Sequence, residues 1–484
     1  RINTKMSCIQ EVAVDGVDVH VVTRTTGSVR LPSFVDQESI TSSAPARREH
    51  SDSSWYAAVF LIINAALGAG LLDFPQAFDQ AGGIAASLIL QAVVLIFVVV
   101  ALLVLARCAE TYKCSTYQEV VQHTCGMHFQ RICSIAIALY CYGTCITFLV
   151  IIGDFSDRLF ASLYDASFCL KWYMRRDFVI TAVSVFTILP MCFSQKIDFL
   201  KIPSALGVLS AFYLVFLVVL QYYIGGYVPQ EMQREPGSVA DVFGVIPVIC
   251  FGYQCHVSSV PIYSCMEDRR IKTFSKTVLT AIFLTALMYT IAGVYGYLTF
   301  GHAVVSDILE MYDASNIFVL IGIVAMAAKI VTTYPILAFC GRIAVNDLYV
   351  QIKTHVEHIT ERQELWRRIL VTSVWFTTSL IVACLVPGIG LVIHIIGSLA
   401  AVFIFVFPGI CLLLTSMEKD VLYYYARTKW TMAASVLFIA IGMFIFGQVL
   451  TQSIMEATVG NGHASKISLC HLPALADILI GVAK

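Results

Sequence analysis

Long apolar runs recur along the 484-residue chain, at 54–79, 83–106, 132–153, 178–194, 204–225, 240–262, 277–299, 316–340, 369–386, 390–414 and 431–455, parted by short polar joins. A hydrocarbon core of about 30 Å takes roughly 20 apolar residues in a helix. The runs are continuous rather than alternating, and helices satisfy their own backbone in lipid. The pattern therefore predicts an all-α integral membrane protein of about eleven spans, with its two ends on opposite sides.

Two spans break their own pattern. The first reads Asn64-Ala-Ala-Leu67-Gly68-Ala69-Gly70-Leu-Leu-Asp73-Phe-Pro75, with two glycines at mid-span, a proline beyond them and polar residues on either side. The sixth reads Phe251-Gly252-Tyr253-Gln254-Cys255-His256, bracketed by Pro247 and Pro261. Close packing through small residues or a simple proline kink is the plainer explanation of each. Neither accounts for an aspartate in the first span or for consecutive polar groups at mid-depth in the sixth, which are costly in lipid unless they line a cavity or meet partners. Spans one and six each open a set of five, and interrupted segments at matching positions of two halves point to an inverted-repeat transporter. The unwound backbone there frees N–H groups for a carboxylate and carbonyls for a cation.

Composition narrows the class further. Hydrophobic residues make up 58% of the chain and charged residues 13%, against roughly 25% charged in soluble domains. A net charge of −1 carries no signature of a nucleic-acid partner. The placement of the charges is more informative. If the N-terminus is inside, 23 of the 31 lysines and arginines fall in inner segments, seven in outer ones and one, Lys329, within a span. The excess of Lys and Arg in cytoplasmic loops predicts a cytoplasmic N-terminus. The sixteen cysteines lie mostly inside apolar runs and read as small packing residues. No nucleophile elbow, P-loop, metal cluster or pair of catalytic carboxylates is found, which argues against an enzyme and against ATP as the driving force.

In the eighth span, Lys329, Thr332 and Thr333 share a helical face by their spacing of three and four. The hydroxyls suit a small hard cation, and the lysine is a fixed positive charge able to replace that cation or to exchange a proton. The alternative is a lysine that snorkels to the inner surface. Asp73, in the outer half of the first span, is a candidate gate or proton site, or else a residue wetted by an outer entrance. His256 and His394 are proton-relay candidates or, more simply, packing histidines.

The phrases Asn64-Ala-Ala-Leu-Gly-Ala-Gly-Leu-Leu, Phe251-Gly-Tyr-Gln-Cys-His-Val-Ser-Ser-Val-Pro-Ile-Tyr and Thr333-Tyr-Pro-Ile-Leu resemble the amino acid/auxin permease family. Within it the chain is similar to the sodium-coupled neutral amino acid transporters, and the sixth-span phrase to their lysosomal glutamine/asparagine branch. The resemblance covers about residues 52–455. It implies a LeuT-type five-plus-five inverted repeat plus one extra helix. It also implies a substrate carboxylate on the backbone of Leu67, Gly68, Ala69 and Gly70, with the amino group and side chain at Phe251, Gly252, Tyr253, Gln254 and Cys255. A Na⁺ site would lie between the carbonyls of Ile63 and Ala66 and the hydroxyls of Thr332 and Thr333, with Asn64 tied to both substrate and cation. Both Lys329 on the cation face and Asp73 in the first span depart from the family pattern; the first weighs against sodium coupling and the second favours a part for protons.

The resulting expectation is a secondary active transporter of neutral amino acids in a lysosomal or plasma membrane, driven by Na⁺ or H⁺, with no further cofactor and the bilayer as its other partner. The alternative is a sensor of the same fold that binds an amino acid but moves little of it. The expected division is a disordered cytoplasmic tail at 1–53 and a ten-helix core at 54–414, its repeats at about 54–225 and 240–414. An inner loop and eleventh helix follow at 415–455, then an outer tail at 456–484.

Overall fold

The computed structural model describes residues 54–164, 171–193, 201–229, 231–232, 239–352, 361–386, 389–418 and 425–459. The tail expected at 1–53, all of that expected at 456–484 beyond Val459, and part of the short join at 387–389 lie outside the described residues.

The first span is two helices, α1 (Trp55–Ala66) and α2 (Gly70–Gln80), bent by 63° at the break. Leu67 leaves the helix with an extended backbone and Ala69 caps the next one. Pro75 inside α2 has no N–H to donate, so that turn cannot be closed from within. α3 (Ile84–Tyr112) returns after a turn in which Gly82 and Gly83 take φ of 90° and 102°, a region that residues with a Cβ avoid. The Ser87 hydroxyl fastens that turn to the carbonyls of Gly83 and Phe78. A short helix, α4 (Tyr117–Cys125), opens with a capping box between Thr116 and Glu119. α5 (Met127–Tyr164) is the longest helix among the described residues.

The run expected at 178–194 is not one regular helix. It comprises α6 (Arg176–Val183), a π-helical turn over Ser184–Ile188, and α7 (Leu189–Cys192). Pro190 and the β-branched residues ahead of it interrupt the regular ladder. The second half follows α8 (Lys201–Ile224) and begins with the sixth span, α9 (Val239–Gly252) and α10 (His256–Ser264). This break is gentler, and 241–264 still passes as one crossing. α11 (Ile271–Phe300), α12 (Ile317–Ile352) and α13 (Glu361–Leu385) are long and continuous. α14 (Ile389–Ala401) and α15 (Phe407–Glu418) flank a π-helical turn at Val402–Val406, and α16 (Tyr425–Val459) packs on them from outside the repeats.

Among the described residues, nine helices are long and apolar enough to cross a membrane, and ten if the bent pair is one span. The expected eleventh is the fragmented run α6–α7. The chain is a multi-pass membrane protein.

The helices sort into two groups. α1, α2, α3, α9, α10 and α11 pack on one another around the breaks, while α5, α8, α12 and α13 form a second layer in which the α5–α12 contact is the most extensive in the molecule. The first group meets the second chiefly where α11 packs on α8, and also where α1 does. Lipid-exposed side chains are apolar, among them Ile89, Ile96, Leu139, Phe186, Phe283 and Trp430.

Candidate functional site

The two breaks lie against each other. A Cβ placed on Gly70 would stand 3.1 Å from the Gly252 Cα and 3.2 Å from the Phe251 ring. One placed on Gly252 would stand 2.9 Å from the Phe74 ring and 3.2 Å from that of Tyr289. Only glycines let the two unwound segments approach so closely. Gly68 differs: a Cβ there would meet nothing within 4 Å, so the break opens on free space at that position. The backbone that sequence reasoning assigned to a carboxylate, Leu67 to Gly70, therefore borders an opening on one face and the second break on another.

Around this point runs a belt of hydrogen bonds. The Tyr289 hydroxyl on α11 lies 3.0 Å from the Ala66 carbonyl and 3.0 Å from that of Gly252, the last carbonyls of α1 and α9. The Gln91 side chain on α3 donates to the Tyr253 hydroxyl at 2.6 Å and accepts from Thr290 at 3.2 Å. Phe74, Tyr253 and Tyr289 stack together, with Phe74 and Tyr289 centroids 4.1 Å apart. These residues hold α2, α3, α9 and α11 as one packed unit.

Lys329 enters from the other layer. It is 7% exposed, its stem lies against Gly207 of α8, and its ammonium donates to the Leu67 carbonyl at 2.8 Å. The side chain is thus turned into the first break and not toward the membrane surface. A buried ammonium is tolerated only with such partners. The neighbouring hydroxyls are held along their own helix: Thr332 donates to Ala328 and Lys329, and Thr333 donates to Lys329 at 2.7 Å. Each hydroxyl oxygen keeps lone pairs for another ligand.

The four atoms assigned to a cation are already engaged in part. The Ile63 carbonyl accepts from Leu67 N at 2.8 Å and the Ala66 carbonyl accepts from Tyr289. What the structure brings to the break is a fixed positive charge beside Thr332 and Thr333. If those hydroxyls complete a cation shell with the freed carbonyls, replacing both Thr332 and Thr333 by alanine should raise the cation concentration for half-maximal uptake about tenfold or more, the size of one or two lost ligands. Unchanged cation dependence of uptake in proteoliposomes would remove them from the site.

The remaining candidates fall as follows. Asn64 is half-buried on α1. Asp73 is 2% exposed, so it is not wetted by an outer entrance, and its Oδ2 has no hydrogen-bond partner among the described residues. His256 is fully buried and pairs through Nδ1 with the Gln254 side chain at 3.1 Å, which ties the second break to the start of α10. Gln254 and Cys255 are buried in that break. His394 lies half-buried on α14.

Other polar groups escaped sequence reasoning. Gln91 and Thr290 carried a readable signal, being polar residues within apolar runs. Tyr289 carried none, since tyrosines are ordinary in such helices. At the end of the bundle where α5 and α11 finish, Arg176 meets Asp154 at 3.1 Å, and Asp154, Asp307 and Glu310 bring carboxylate oxygens within 4.8 Å of one another. His302 meets Asp79 there at 2.8 Å. At the opposite end, in the join before α11, the Asp268 carboxylate takes both prongs of Arg270 at 2.7 Å and the Thr273 hydroxyl at 2.6 Å. The guanidinium beside it holds that carboxyl well below the usual carboxylate range.

A Danio rerio protein named sodium-coupled neutral amino acid transporter 7 is 42% identical over 412 residues, covering 84% of this chain and 88% of its own. The Homo sapiens protein of that name is 38% identical over 420 residues, covering 85% and 90%. Among solved structures, a manganese transporter mutant from Eremococcus coleocola shares the fold with a TM-score of 0.53 at 12% identity, over 92% of this chain and 96% of that one. The arrangement of two broken helices and a five-plus-five core is LeuT-type. The family model described as transmembrane amino acid transporter protein matches residues 51–455, and the chain belongs to that family.

Proposed function

We propose that the chain is a secondary active transporter of neutral L-amino acids, glutamine and asparagine first among them, driven by a Na⁺ or H⁺ gradient through alternating access around the paired breaks. The observation that carries this reading is the meeting of the two breaks at Gly70 and Gly252 with open space at Gly68. An amino acid presents a carboxylate and an ammonium a short distance apart. The N–H end of α2 suits the first and the terminal carbonyls of α1 and α9 suit the second. The sodium-coupled relatives support Na⁺ as the coupling ion. Lys329 on the Leu67 carbonyl and the buried carboxylate of Asp73 support a part for protons.

In this mechanism the unit built on α1, α2, α3, α9, α10 and α11 rocks against the layer of α5, α8, α12 and α13, so the site faces each side in turn. Among the contacts that must change in the rocking is the bond crossing between them from Lys329 to Leu67. The N-terminus lies in the cytoplasm and the C-terminus on the lumenal or outer side, following the distribution of basic residues, in a lysosomal or plasma membrane.

Uptake of radiolabelled glutamine into proteoliposomes under separate Na⁺ and proton gradients tests the reading. Accumulation above the equilibrium level under one of these gradients is the expected result. Glutamine that binds tightly but does not accumulate under either gradient would make the chain a sensor instead.

A further inference from the structure

The Tyr289 hydroxyl sits between two carbonyls that no helix of its own can satisfy. Ala66 ends α1 and Gly252 ends α9, and the last carbonyls of a helix lack intrahelical donors. Both lie 3.0 Å from the same phenol oxygen. A phenol has one proton, so it serves one carbonyl fully or both weakly, and three oxygens converge on a single hydrogen. The ring that carries it is fixed by Phe74 and Tyr253 and is admitted to that position because residue 252 has no side chain.

We propose that Tyr289 is the positioning residue of the amino-acid site: its hydroxyl clasps the ends of both broken helices in register and yields one carbonyl to the ammonium group of the incoming substrate. The proposal rests on the amino-acid reading given above. An ammonium group brings three donors to a place where three oxygens share one, so its arrival relieves a shortage that the empty site carries. The clasp also explains how two helices distant in sequence keep a common geometry through a rocking motion. Tyr289 lies on α11, which moves with both.

Tyr289→Phe keeps the ring and its stacking and removes only the hydroxyl. In substrate-free protein, amide hydrogen exchange should quicken at both 67–72 and 253–255, by about fivefold, the scale of one net neutral hydrogen bond. Quickening at one break alone, or at neither, overturns the clasp. The handover is read from competition against glutamine uptake by L-alanine and L-lactate, which differ by ammonium for hydroxyl. In Tyr289→Phe the preference for alanine over lactate should fall roughly tenfold, the scale of a charged hydrogen bond misplaced. Equal weakening of both competitors, or no change in either, overturns the handover and leaves a purely structural tyrosine. If the unaltered protein neither binds nor moves any amino acid, the amino-acid reading fails, and the exchange measurement still decides the clasp.

Discussion

Replacing Gly68 by leucine should abolish glutamine uptake while the protein still inserts and keeps its thermal stability. The position faces free space, since a Cβ there meets no atom within 4 Å, so the added side chain enters the opening at the break and not a packed interior. Alanine at the same position adds only that Cβ and should leave uptake within about twofold of the unaltered protein. Filling a shaped space costs roughly 1–3 kcal/mol where neighbours must give way. A ligand competing for that space should therefore lose at least about 10- to 100-fold in apparent affinity, enough to remove uptake at substrate concentrations near the unaltered protein's half-saturation. Uptake kinetics in proteoliposomes, with detergent-solubilised melting curves as the control, check both variants. Normal uptake by Gly68→Leu would move the substrate away from the first break.

Replacing Lys329 by methionine should change which ion the protein responds to. The substitution keeps an unbranched stem against Gly207 and removes the ammonium from the Leu67 carbonyl. A hydrogen bond from a charged donor contributes about 1.5–3 kcal/mol, so the loss is large enough to be read at a coupling site. Without the resident charge, the freed carbonyl is open to an added cation. Uptake should then depend more steeply on Na⁺, by about tenfold or more in the concentration needed, and should lose its response to pH. If uptake by Lys329→Met keeps the sodium and pH profiles of the unaltered protein, the lysine serves packing alone. Lys329→Ala is the harsher version and also removes the contact with Gly207.

Much of the fold was written in local signals. The long apolar runs, the Gly-Ala-Gly with Pro75 in the first span and the paired prolines about the sixth each act within a dozen residues, and each marked its element. The fourth span was less legible. Its apolar length suggested one helix, while Pro190 and the π-helical turn at Ser184–Ile188 divide it into short pieces. Hydropathy reports burial in lipid and not the regularity of the backbone. The second break was also read from its residues, but its gentle bend was not, because bend angle depends on what packs against the two halves.

The site was legible in part for the same reason. Glycines, a lysine and an aspartate within spans are conspicuous because they are costly there. Their destinations are not conspicuous. Lys329 and Leu67 are separated by 262 positions, and Tyr289 lies 223 positions from Ala66. Spacing along one helix placed Lys329 with Thr332 and Thr333. It could not say that the ammonium would meet the carbonyl of Leu67, one residue beyond Ala66, whose carbonyl was expected to bind the cation. Nor could it show that Ala66 would already face a tyrosine.

Gly207 has a bearing on how such a site can diverge. A Cβ at 207 would come within 3.2 Å of the Lys329 stem, so any larger residue at that point of α8 obliges the lysine on α12 to give by a few tenths of an ångström. The two positions should be inherited as a couple. A descendant that exchanges Lys329 for a small side chain is released from the restriction and can admit alanine or serine at 207. One that retains the lysine admits them only by shifting its stem, on which the charge at the first break is carried. Ion preference in this lineage would then be recorded at two places on different helices, and a glycine with no polar atom in its side chain would be one of them.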